Sequence, residues 1–101
     1  MRRNENQFLL LGLLLREAKE YQSGEASRGR LVGLLDQVRK TISTIHFDTH
    51  HGETALLVSG VLESLSVAEG LAHQGKDAQA FTVTRFALGN LLAKEALFQK
   101  P

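Results

Sequence analysis

Apolar residues return every three or four positions through four long blocks of this chain, and no proline interrupts any of them. That spacing predicts α-helices, each burying one stripe against its neighbours. Proline would break a helix interior, and the single one here is Pro101. The periods predict helices over about 6–22, 28–46, 53–74 and 78–99, with boundaries good to a few residues.

The second block is the clearest. Leu31, Leu34, Leu35, Val38, Ile42 and Ile45 form one stripe, while Arg30, Asp36, Gln37, Arg39, Lys40 and Ser43 take the other side. In the third, Leu57, Val58, Val61, Leu62, Leu65, Ala68, Leu71 and Ala72 repeat the pattern. The fourth has Phe81, Leu88, Leu91 and Leu92, widened by Val83, Ala87 and Phe98. Punctuation between blocks agrees. Gly52 is placed to end the second helix, and Glu53 suits the positive end of the third. Gly75 is a C-cap candidate and Asp77 an N-cap candidate for the fourth.

A chain of 101 residues has room for one core. Rods of similar length joined by short loops favour antiparallel neighbours. The expected fold is therefore all-α, a small antiparallel four-helix bundle or array forming one domain over 1–101.

The first block differs from the rest. Phe8, Leu11, Leu15 and Ala18 make its main stripe, with Leu10, Leu14 and Tyr21 beside it and Leu9 and Leu13 further round. Two turns are apolar on nearly every side. An outer helix of a small bundle cannot bury all of that within one chain, so a second contact surface is expected. Phe8, Leu11 and Leu15 on this helix and Phe86 and Phe98 on the fourth are the candidate partner-binding residues. Two-fold self-assembly needs only one self-complementary patch. A homodimer is the first expectation, and a groove taking a client protein's helix the next.

Composition removes several function classes. There is no cysteine, so disulfides, thiol catalysis and Cys-ligated zinc or iron–sulfur sites are excluded. Net charge is +1, which gives no general attraction to nucleic acid. Arg28, Arg30, Arg39 and Lys40 lie on one predicted helix and are the candidates for a nucleic-acid contact, an alternative reading. Another alternative is a metal sensor or metal-dependent enzyme using the segment from His46 to Glu53. There His46, His50 and His51 supply imidazoles beside Asp48 and Glu53, the ligand types that suit zinc. The spacing matches no established zinc pattern. Phosphate-binding glycine loops and nucleophile elbows are missing too, so the balance is against an enzyme and no cofactor is expected.

Arg2 and Arg3 ahead of the run Phe8 to Leu15 imitate a signal peptide. Glu5 breaks the basic region and Arg16, Glu17 and Lys19 follow the run at once, leaving no small-residue cleavage site. Eight residues are too short for a bilayer, which needs about 20. A cytoplasmic protein with no membrane contact is the expectation. Finally, Gly12, Gly33, Gly60 and Gly89 each precede a Leu by two positions. Leu and Gly are common here, so chance accounts for the pattern first; the other reading is close helix crossings or a groove, since glycine inside a helix costs about 1 kcal/mol against Ala.

Overall fold

The computed structural model describes residues 4–23, 28–47, 50 and 52–98. Four α-helices account for most of them: α1 (Glu5–Ser23), α2 (Arg28–Ser43), α3 (Gly52–His73) and α4 (Asp77–Ala93), followed by a 3-10 turn at Glu95–Phe98. The fold is all-α, a four-helix bundle with no strand among the described residues. α4 packs most extensively, against both α3 and α1, and α2 closes the remaining side against α3 and α1.

The core draws on the stripes expected from the periodicity, but Leu15, Leu57, Leu62, Leu71 and Leu92 are only partly buried against it and Ala80 joins it. Phe8, Leu11, Leu14 and Ala18 come from α1, and Leu31, Leu34, Leu35, Val38 and Ile42 from α2. Val58, Val61, Leu65, Ala68 and Ala72 come from α3, and Ala80, Phe81, Ala87, Leu88 and Leu91 from α4. Thr84 is also fully buried, and its hydroxyl donates back to the Ala80 carbonyl at 2.8 Å. A threonine in this position satisfies its own polar atom within the helix and adds a methyl to the core.

The α3–α4 corner follows its glycine. Gly75 has φ +77°, the left-handed conformation that glycine adopts without a Cβ clash. The Lys76 N–H reaches the Leu71 carbonyl at 2.9 Å and the Gly75 N–H reaches Ala72 at 3.0 Å. These two bonds form a Schellman cap and absorb carbonyls that the helix end would leave open. Asp77 is not the N-cap expected of it. Lys76 holds that position without a side-chain bond, and Asp77 is the first helical residue, where its charge meets the positive end of α4.

Two helices stop earlier than their patterns suggest. α2 ends at Ser43. Thr41, Ser43 and Thr44 turn their hydroxyls onto the carbonyls of Gln37, Lys40 and Thr41. The Thr44 and Ile45 N–H groups fall back to three-residue bonds. Local hydroxyl bonds and β-branching both weaken a last turn. α4 ends at Ala93, and the tighter 3-10 turn carries Phe98 inward. Its ring lies 5.5 Å from Phe8 and 6.4 Å from Phe47.

Asn4 binds this end together. It is buried at φ +70°. Its side-chain amide donates to the His46 carbonyl at 2.6 Å and the Phe98 carbonyl at 3.0 Å, and its Oδ1 accepts from the His46 N–H at 2.7 Å. Its own carbonyl accepts the Phe8 N–H at 3.1 Å, a first bond of α1. One side chain thus joins the start of α1, the exit from α2 and the 3-10 turn.

By length and composition α3 is apolar enough to cross a membrane. In the bundle it contributes five apolar residues to the core, and Glu63 and Glu69 sit along its length.

Candidate functional site

The surplus apolar surface of α1 is present, but not where the partner residues were expected. Phe8, Leu11 and Phe98 are buried within the chain's own core and present no face to a partner. The reason is the turn that follows α4: it folds Phe98 back onto Phe8, and Leu11 lies one turn along the same stripe. The exposed leucines of α1 are Leu9 at 65%, Leu13 at 58% and Leu10 at 42%. At about 100° per residue, Leu9 and Leu13 point away from the stripe of Leu11, Leu14 and Ala18.

Leu15 and Phe86 do come together. They line one open groove between α1 and α4, with Lys19, Arg85, Gly89, Asn90 and Ala93 completing its walls. Leu15 is half-buried, whereas Phe86 is 67% exposed, on the face of α4 opposite its core residues. The Arg85 guanidinium lies 5.5 Å from the Phe86 ring centroid, a cation–π contact.

The basic residues of α2 do not form an open strip. Arg39 pairs with Glu69 through Nη2, with a second bond from Nε at 3.2 Å. Lys40 pairs with Asp36 at 2.9 Å, one turn back. Arg28 lies 3.8 Å from Asp77, and Arg30 stacks over Tyr21 with its guanidinium 5.1 Å from the ring. Arg28, Arg39, Asp36 and Glu69 border a groove of about 350 Å³ between α2 and α3, floored by Val32, Leu35 and Ala72. Charges of both signs line it, which weakens the field that a row of cations alone would offer a phosphate backbone.

Among the described residues the histidines do not assemble either. The side chains of His46 and His50 are exposed, and His51 lies outside the described residues. Among the described residues no three His, Asp or Glu side chains gather as a metal site would require. What holds His46 is its backbone, gripped by Asn4.

Tyr21 has an altered acidity. Burial is the main cause of a phenol pKa above its usual value, and Glu17, which accepts the hydroxyl at 3.0 Å, raises it further. Arg30 over the ring opposes the shift. Tyr21 also packs on Phe81 at 5.5 Å. Through these contacts Tyr21 links α1, α2 and α4.

The interior glycines carry no crossing. A Cβ built on Gly12, Gly33, Gly60 or Gly89 would meet nothing within 4 Å, so the close approaches expected from their spacing are not made within the chain. The chain matches no protein-family model, no curated protein and no solved structure.

Proposed function

We propose that this chain is a small helical interaction module that works by binding and whose first partner is a second copy of itself. The observation that carries this reading is the exposure of Leu9, Leu10 and Leu13 side by side on α1. Isolated exposed leucines are ordinary on protein surfaces, whereas a contiguous apolar strip marks a contact. Phe86 is a separate exposed apolar group on α4, in the groove beside Leu15. A two-fold pair covers such a strip with a copy of itself and needs no other molecule. A cytoplasmic location is part of this proposal; the apolar run of α1 serves the bundle core through Phe8, Leu11 and Leu14.

Light scattering on the untagged chain over a series of concentrations tests it. The mass should rise with concentration from 11.1 kDa toward twice that value. A mass fixed at one chain over the whole series would overturn self-association.

A further inference from the structure

The exposed strip of α1 has more order than apolarity alone requires. Asn6, Leu9, Leu13 and Arg16 follow one another at spacings of three, four and three, which is the seam spacing of a coiled coil. All four are exposed. Glu5, Gly12 and Lys19 lie one flank away at steps of seven, and Leu10 lies on the other flank.

The direction of pairing follows from charge. Two parallel copies of α1 would set Arg16 against Arg16 inside the seam, and like charges directly opposed are unfavourable. Antiparallel copies set each Arg16 against Asn6, whose amide oxygen accepts a hydrogen bond from a guanidinium. The same register sets Leu9 against Leu13 twice, forming the apolar centre. On the flank it sets Glu5 of one copy near Lys19 of the other, again twice. Leu10 meets its own symmetry mate on the opposite flank. Gly12 falls beside the two-fold axis, and its missing side chain faces open space within its own chain. Close approach of two α1 helices is possible there.

We infer that α1 is an antiparallel self-pairing seam, with Leu9 of one copy on Leu13 of the other and Asn6 on Arg16. This rests on the self-association proposed above and adds its surface, direction and register. The seam from Glu5 to Lys19 is about 21 Å long at 1.5 Å per residue. A contact of that length falls with interfaces below about 1,200 Å², which are weak and transient. Association is expected at roughly 10–100 μM, in keeping with such small interfaces.

The test uses the absence of native cysteine. Asn6→Cys and Arg16→Cys chains are prepared separately, then oxidised alone and as an equimolar mixture. Both positions are exposed, so the fold tolerates them. The antiparallel register brings position 6 of one chain opposite position 16 of the other. It leaves each position about 15 Å along the seam from its own symmetry mate, beyond the reach of a disulfide. The expected result is a mixed disulfide dimer from the mixture and almost none from either chain alone.

Dimer formed by each chain alone, with no gain on mixing, would mean a parallel pair and overturn the seam while keeping self-association. A mass that rises with concentration but is insensitive to Leu9→Ser with Leu13→Ser, and is lost with Phe86→Ser, would move the contact to α4 and also overturn the seam alone. A wild-type mass that stays at one chain overturns both. On the seam as inferred, Leu9→Ser with Leu13→Ser weakens association at least tenfold.

Discussion

Asn4 shows how one polar side chain can bind three segments. Its amide and Oδ1 make three bonds to the backbone at His46 and Phe98, 42 and 94 residues away. Replacing it with Ala leaves those carbonyls and the His46 N–H without this partner at a corner that is buried at Phe98 and part-buried at His46, and each bond left unmade away from water is expensive. Asn4→Ala should lower stability by about 2–4 kcal/mol in a denaturant titration. Asn4→Asp should be no milder, since it keeps one acceptor and sets a carboxylate against two carbonyls. None of this was legible in the sequence, where nothing marks Asn4 out. Its partners are set by tertiary structure. Tyr21 offers a second residue-scale prediction. Its pKa is raised, so the neutral phenol is favoured in the folded state. The stabilisation is fully present below the ordinary value of about 10 and is lost as pH rises through the higher folded value. Tyr21 is the only tyrosine and there is no tryptophan, so phenolate absorbance follows it cleanly. Glu17→Gln should move that titration to lower pH, because Glu17 contributes to the upward shift.

At the scale of elements, local signals were legible where they required nothing from elsewhere in the chain. Gly75 announced the end of α3, and the corner uses its left-handed backbone. Gly75→Ala should destabilise by about 1–2 kcal/mol, since the added Cβ is strained there and lies 3.3 Å from the Arg28 Nη2. Gly33 and Gly60 give the opposite sign. Both are helical, and an added Cβ meets nothing within 4 Å. Ala at each should stabilise by about 0.5–1 kcal/mol through a stiffer unfolded chain and better helix propensity. Thermal denaturation of the three single variants checks both signs at once. The glycine spacing suggests close crossings, but glycine records a permitted approach and says nothing of whether a neighbour takes it up. The end of α4 was hidden for another reason. Phe98 continues the helical period of α4, yet its place is decided by the rings of Phe8 and Phe47 from other elements.

For the whole molecule, periodicity located the buried stripes well but could not divide the leucines of α1 between inside and outside. That division depends on the angle at which α1 meets α2 and α4, which no single helix encodes. Leu11 and Leu9 are two residues apart and have opposite fates, one buried and the other 65% exposed. Their variants should separate in the same way. Leu11→Ala removes fully buried atoms and should cost about 2–5 kcal/mol at any protein concentration. Leu9→Ser with Leu13→Ser changes only surface and should shift the dilute-solution stability by no more than about 0.5 kcal/mol per site. The contrast grows with concentration. A chain that pairs only when folded gains stability by mass action, so the wild-type midpoint of thermal unfolding should rise as the protein is concentrated. The midpoint of the double serine variant should stay fixed over the same series. If both midpoints stay fixed, the outer leucines stabilise nothing through self-association. If both rise in parallel, pairing occurs on a surface that excludes them.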